Sequence, residues 1–272
     1  MLARVGPIGF WESPCGLAFF HPAIEGGGSL YPAYYRNVQA DRWLMDDPDG
    51  GRAEFSAAAE LIKAGDRVLD VGCGEGAFRR RISQAKYTGL DPYAPQDAGP
   101  DIQRETAQDH ARGHAGQYDV VCAFEVLEHV ADPLGLAQAM VALLRPGGLF
   151  IAGVPSWPSP LVEIPNLPAN APPHHLSWWN LRSLTALSEA LGLQPVVVRD
   201  LPPQAQHRLF HWMRRLSPVK AQGPYWRHSW RWHASLIFAF LAARTIAPFA
   251  SLPSGAGSID CFLAARKPGG EV

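Results

Sequence analysis

The sequence predicts an α/β fold in which a largely parallel sheet is covered by helices on both faces. Short apolar strand patterns alternate with amphipathic helix patterns between about residues 53 and 200, which is the order that parallel strands joined by crossover helices require. One strand also runs directly into a glycine turn, Val68-Leu69-Asp70-Val71-Gly72-Cys73-Gly74-Glu75-Gly76. In sheets of this class ligands bind beyond the carboxyl ends of the strands. Composition agrees, since 47% hydrophobic and 18% charged residues over 272 positions allow a full buried core.

Residues 1–50 are rich in Gly, Pro and aromatics without a clear period, and Ser13-Pro14 and Asp47-Pro48 are turn signals. They are expected to form an irregular leader with a short helix near residues 31–43, in front of a main domain over 51–272. Phe55, Ala58, Ala59, Leu61 and Ile62 share one face of a predicted helix over 53–64, which Gly65 ends. Strands follow at 67–71 and 87–90, with a helix at 75–84 between them. A weaker strand is expected near Ile102 and a strong one at 118–124. Asp132 followed by Pro133 marks a helix start, with Asp as N-cap and Pro at the first helical position. That helix stops before Pro146-Gly147-Gly148, and 149–154 is the next strand. After a Pro-rich loop over 155–173 come a helix at 180–191, a strand at 195–198, an aromatic, partly helical insertion at about 201–255, and a last strand at 259–265.

Charge and cysteine content exclude several classes. Lys and Arg number 24 against 25 Asp and Glu, a net charge of −1, so nothing marks a nucleic-acid binder. The four cysteines (Cys15, Cys73, Cys122, Cys261) form no CxxC pair, so neither a metal site nor a disulfide framework is expected. No charged segment followed by an apolar one stands at the N-terminus, and a cytoplasmic location is expected. The most apolar stretch, 234–243, is too short to span a bilayer. A lipid-facing role for Trp226, Trp230 and Trp232 would allow peripheral membrane contact, but a packed helix is the favoured reading.

The glycine turn is the main functional signal. Gly72, Gly74 and Ala77 satisfy the G-x-G-x-x-G/A dinucleotide pattern, which alone is weak. Electrostatics separates the ligands. A pyrophosphate would meet Asp70 and Glu75, whereas S-adenosylmethionine carries a sulfonium and an ammonium that acidic neighbours suit. Asp91, before Pro92 at the end of the second strand, can accept hydrogen bonds from both hydroxyls of a ribose.

The segments VLDVGCGEGAF (68–78), YTGLD (87–91), YDVVCAFEVLEHVADP (118–133) and LRPGGLFIAGVP (144–155) together resemble the motifs of class I S-adenosylmethionine-dependent methyltransferases. The resemblance is closest to the group containing ubiquinone-biosynthesis O-methyltransferases and glycan- and natural-product-modifying enzymes. It implies a Rossmann-like, seven-stranded, mostly parallel sheet with its last strand antiparallel. It implies S-adenosyl-L-methionine as cofactor, with contacts from Asp70, Gly72, Cys73, Gly74, Asp91 and Pro92. Gln108, or failing it Asp109, would meet the adenine, and Phe124 and Glu125 would lie beside the methionine part. In the leader, Cys15-Gly16-Leu17, His21-Pro22 and Tyr34-Tyr35 resemble relatives that carry a zinc ribbon. With a single cysteine remaining, no zinc is expected, and Tyr31, Tyr34 and Tyr35 are either a lid or packing residues.

An oxygen acceptor must lose a proton, and a neutral histidine suits that task. The candidates are His129, after the fourth strand, and His174 and His175, after the fifth. The acceptor is expected to be a small molecule or a glycan. N- or C-methylation, a non-catalytic S-adenosylmethionine-binding protein and an NAD-dependent oxidoreductase are the alternatives. The insertion is expected to cover the acceptor pocket. Its aromatics Phe210, Trp212, Tyr225, Trp226, Trp230 and Trp232 are expected mainly in its own core. Arg208, Arg214, Arg215, Lys220 and Arg227 make it locally basic, and a solvated face is the expectation for them.

Overall fold

The computed structural model describes residues 1, 3–5, 8–24, 52–167, 170–203, 207–221, 227, 229–253 and 259–269. The expected helix near 31–43, the tyrosines Tyr31, Tyr34 and Tyr35, the Asp47-Pro48 turn, and Tyr225 and Trp226 lie outside them.

The main sheet is Rossmann-like and has seven strands: β4 (Arg67–Val71), β5 (Lys86–Leu90), β6 (Ile102–Gln103), β7 (Tyr118–Phe124), β8 (Leu144–Pro155), β10 (Gln194–Asp200) and β11 (Asp260–Arg266). Their order is β10-β11-β8-β7-β4-β5-β6. The pairs β4–β5, β4–β7, β5–β6 and β7–β8 are parallel. The last strand, β11, runs antiparallel to both β8 and β10. Alternate residues of each central strand face opposite sides, which builds two cores. Leu69, Val121, Phe150, Ala152 and Leu263 pack against α3 (Pro133–Leu143) and α4 (Leu181–Ala190) through Met140, Leu143, Leu184 and Leu187. Val68, Val120, Cys122, Ile151 and Phe262 pack on the other side against Phe55 and Ala58 of α1 (Ala53–Ala59), with Phe78 and Ile82. Burying such side chains contributes roughly 1.5–3 kcal/mol each.

Helix ends follow their caps. The Asp132 side chain accepts from the Gly135 amide at 2.8 Å and starts α3. Asn180 and Ser183 form a reciprocal capping box at α4. Two expected helices are shorter than the pattern suggests. The helix expected over 53–64 ends at Ala59, because Leu61 and Ile62 bond three residues back, to Ala58 and Ala59, and tighten the turn. The helix expected over 75–84 is only a 3₁₀ turn, Ala77–Arg81, because Gly76 is left-handed (φ 73°) and one short turn already buries Phe78 and Ile82. Strand β8 starts at Leu144 rather than 149, since the chain after β11 pairs with it through Gly147 N–Lys267 O (3.0 Å) and Lys267 N–Gly148 O (2.9 Å).

The leader is not irregular throughout. Strands β1 (Ala3–Val5), β2 (Ile8–Glu12) and β3 (Ala18–His21) form an antiparallel ribbon that β9 (Ser177–Trp178) completes. Phe10, Ala18, Phe20 and Trp178 form its core with Val162 and Ala171. Strands this short carry too few alternations to reveal a period.

The insertion contains α5 (His207–Leu216) and α6 (Trp230–Ile246). They share a satellite core made by Met213, Ala239 and Ala243 with Leu161, Ile164 and Ile259. Phe210 and Trp212 pack against it and Trp232 is buried, as expected. Trp230 is not packed: it is 79% exposed, because the buried face of α6 is set by Trp232, Ser235, Ala239 and Ala243. Among the described residues, no helix is long and apolar enough to cross a membrane.

Candidate functional site

The site begins where β4 ends. Gly72 has φ 72° and Gly74 φ 56°, a region that side chains rarely adopt. A Cβ at Gly72 would lie 2.4 Å from Val126 Cγ2, so no larger residue fits there. The amides of Gly72 and Cys73 donate to the Leu90 carbonyl (2.7 and 3.1 Å), binding the turn to the end of β5. Asp91 secures it further: Oδ2 accepts from Gly74 N at 3.0 Å and Oδ1 from Tyr93 N at 2.8 Å.

Beyond this turn lies a cavity of about 370 Å³ at the carboxyl ends of β4, β5 and β7. Gly72, Asp91, Pro92, Gln108, Glu125 and His129 all line it. Val71, Leu90, Val126 and Leu136 give it an apolar lining. Asp91, Glu105, Glu125 and Asp132 bring carboxylates to the wall, and no Lys or Arg lines it among the described residues. Such a wall accommodates a cation with a nucleoside and repels a pyrophosphate.

Other expected contact residues lie elsewhere. Asp70, Cys73, Gly74 and Phe124 do not line the cavity, and neither does Glu75. Asp70 is buried beside Tyr87, whose hydroxyl donates to it at 2.9 Å. Burial pushes its carboxyl up to about 7 despite that bond. Phe124 packs edge-on against Phe55 and Phe78, with ring centres at 5.1 and 4.9 Å. At the start of α2 (Ala107–His114) the two adenine candidates separate. Gln108 lines the cavity, whereas the Asp109 amide donates to the Thr106 hydroxyl (3.1 Å) and its carboxylate pairs with Arg112 (2.9 Å).

Glu125 is the most unusual residue of the wall. It follows β7 with φ 57°, a left-handed conformation seldom held by a residue other than glycine. Its Oε1 is buried without a hydrogen-bond partner. Burial first, then the nearby Glu128 and Asp260, hold its carboxyl well above the usual range. Behind it, Glu54, Glu128 and Asp260 are all buried, with Arg52 Nε donating to Glu54 Oε1 at 2.6 Å. Arg52 supplies a positive charge to this cluster, and a bound cation on the cavity side would favour ionisation of Glu125.

The three candidate histidines come together, although 45 residues separate His129 from His174. Ring centres are 4.7 Å apart for His129–His174, 4.9 Å for His129–His175 and 5.1 Å for His174–His175. His129 lines the cavity; His174 and His175 do not. A carbonyl only accepts, so His129 Nδ1 must donate to the His174 carbonyl at 2.7 Å, and its Nε2, which keeps the lone pair, lies 3.4 Å from the buried Glu128 Oε1. Burial, then His174, holds His129 down to about 3. His174 is lowered and His175 lies well below the ordinary value, both through burial. All three rings are therefore neutral near pH 7. Their ligating nitrogens lie within 4.8 Å of one another, close enough to share a metal ion.

Sequence reasoning missed Glu105, Val126 and the buried carboxylates Glu54 and Asp260. Val126 carries no chemistry of its own and matters only through its approach to Gly72. Asp132 was legible as a helix cap, which hid its second position on the cavity wall.

A strand-end cavity with a carboxylate after the second strand, on this strand order, is the architecture of class I S-adenosylmethionine-dependent methyltransferases. The chain belongs to the methyltransferase domain family, whose pattern matches residues 42–198. Ubiquinone biosynthesis O-methyltransferases of Escherichia coli (strain K12 / DH10B) and Shigella boydii are 41% identical to it over 97 residues. That match covers 31% of this chain and 40% of each relative, so the chain spans about two fifths of the length of those relatives. Among solved structures, an S-adenosylmethionine-dependent methyltransferase from Archaeoglobus fulgidus shares the fold with a TM-score of 0.55 at 16% identity. That likeness covers 86% of this chain and 99% of the other. Another, from Thermotoga maritima, gives a TM-score of 0.53 at 15% identity over 88% and 99% of the two chains. S-adenosylmethionine is the cofactor of this family, and the acidic cavity, the Gly72 turn and the unpartnered Glu125 oxygen fit it.

Proposed function

We propose that this protein transfers the methyl group of S-adenosylmethionine to an oxygen of a small-molecule or glycan-type acceptor. The observation that carries this reading is a neutral histidine, His129, on the wall of an acidic, nucleoside-sized cavity. Bound there, the cofactor would supply an electrophilic methyl on a sulfonium. The chain's own task is then alignment, exclusion of water and removal of one proton. Gly72 lets the ligand approach backbone, Asp91 accepts from the ribose hydroxyls, and Gln108 contacts the adenine edge. Glu125 and Asp132 offset the positive charge. His129 Nε2 takes the acceptor's proton, while His174 and His175 position its ring. The name of the Escherichia coli relatives supports oxygen as the acceptor atom.

Calorimetry with S-adenosylmethionine and its demethylated product tests the cofactor half of the proposal, and absence of binding by either ends it. Turnover of His129→Gln against an acceptor panel tests the other half. The expected loss is about 10²–10⁴-fold in kcat with cofactor affinity retained. Full turnover would remove the base and favour nitrogen or carbon transfer.

One observation favours a second reading of the same trio. A ring nitrogen tied to a backbone carbonyl, as His129 Nδ1 is, is the usual support of a metal-binding histidine. In that reading the three rings hold a divalent cation that lowers the acceptor's pKa. Turnover that survives exhaustive chelation, with no cobalt absorption on titration, would leave the histidine base as the sole mechanism.

A further inference from the structure

No described residue of the α5–α6 insertion lines the cofactor cavity, and the insertion differs from the rest of the chain in charge. Residues 201–259 carry seven of the 24 Lys and Arg and none of the 25 Asp and Glu. They also hold much of the exposed apolar surface. On α6, Trp230 is 79%, Ile237 59%, Phe238 55% and Leu241 57% exposed, and Phe249 just past its end is 91% exposed. At 3.6 residues per turn these four helix positions form one stripe opposite the buried Trp232, Ser235, Ala239 and Ala243. Arg231 flanks the stripe on one side and Arg244 on the other, both exposed.

We propose that this face of α6 docks on an anionic lipid bilayer. An apolar stripe bordered by arginines, with Trp230 at one end, is the pattern of a helix lying in the membrane interface. The helix has 17 residues, about 25 Å, and with no helix suited to crossing among the described residues it lies on the bilayer rather than through it. Charge selects the occupant. Anionic headgroups complement a segment with no acidic residue at all, and each arginine near such a surface contributes about 1 kcal/mol. A second copy of the chain meeting this face about a two-fold axis would present the same acid-free segment and supply no counter-charge for the arginines. The insertion also sits at the cavity end of the sheet, where His207 Nε2 lies 3.3 Å from Asp260 at the start of β11. Docking would therefore hold that end of the sheet toward the bilayer.

The test uses the full chain with vesicles of mixed phosphatidylglycerol and phosphatidylcholine, and with vesicles of phosphatidylcholine alone. The expected result is sedimentation with the anionic vesicles, weakened by salt and absent with the neutral ones. The variant Ile237→Ser/Phe238→Ser/Leu241→Ser should lose the binding. Arg231→Gln and Arg244→Gln should each weaken it about fivefold. These positions are exposed, so circular dichroism and S-adenosylmethionine affinity should remain those of the parent chain. The inference does not rest on the proposed reaction, and unchanged cofactor binding keeps the two separable. Absence of vesicle binding by the parent chain, or equal binding by the triple-serine variant, overturns the proposal. So does a mass on ultracentrifugation that halves in that variant, which would assign the stripe to a second copy.

Discussion

At the scale of single residues, Asp91 combines construction and recognition. Its two oxygens already hold the amides of Gly74 and Tyr93, and the residue lines the cavity. Asp91→Ala should weaken S-adenosylmethionine binding by about 1–3 kcal/mol, from loss of charge-assisted bonds, and calorimetry measures it directly. An unchanged dissociation constant would move the ribose elsewhere. Gly72 and Asp91, which line the cavity, were legible because a turn after a strand needs particular residue types at fixed offsets, whereas Pro92, Gln108 and Glu125 were implied only by the family resemblance. Asp70 was read from the same turn, but strand alternation aims it toward Tyr87 and Cys122, away from the cavity. The approach of His129 to His174 and His175 could not be read, since no spacing encodes a contact across 45 residues.

At the scale of elements, caps and long strands were legible, whereas lengths and short strands were not. The helix expected over 75–84 is limited to one short 3₁₀ turn by the left-handed Gly76 and the early burial of Phe78. Asn180 shows how one cap can serve two elements. Its Oδ1 accepts from Ser183 N at 3.0 Å, and its Nδ2 donates to the Gly16 carbonyl at 2.8 Å. Asn180→Ala should lower stability by about 1 kcal/mol from the cap, and by more if the tie to the leader contributes. Asn180→Asp keeps the cap acceptor and loses only the tie. Chemical denaturation of the two variants separates the contributions, and equal stability of all three chains would show that neither bond matters.

At the scale of the whole molecule, buried ionisable groups set the pH response. Burial pushes Asp70 up to about 7, and Glu128 and Asp260 up to about 8. The folded chain keeps protons there that the unfolded chain releases near pH 4, so this contribution shrinks from about pH 4 until the folded groups ionise near 7 to 8. His129 and His207, held down to about 3 and about 4 by burial, act the other way. Their contribution is complete above about pH 6.5 and is lost on acidification. Between pH 6.5 and 8 only the carboxylates change, so the Tm of the ligand-free protein should fall across that interval. S-adenosylmethionine should leave the Asp70 part of this fall unchanged, since that carboxyl faces Tyr87 and Cys122 rather than the cavity. Scanning calorimetry checks both, and a Tm that rises with pH in this window would contradict the assigned burial.

The N-terminal ribbon reaches the chemistry through one residue of the histidine loop. The Leu176 carbonyl accepts from Phe20 N at 2.9 Å, and its amide donates to the Glu128 carbonyl at 2.7 Å. Leu176 thus works as a splint between the first strands of the chain and the segment bearing His129. Amide protons at positions 20 and 176 should exchange with solvent in concert, and occupancy of the distant cavity should slow the two together.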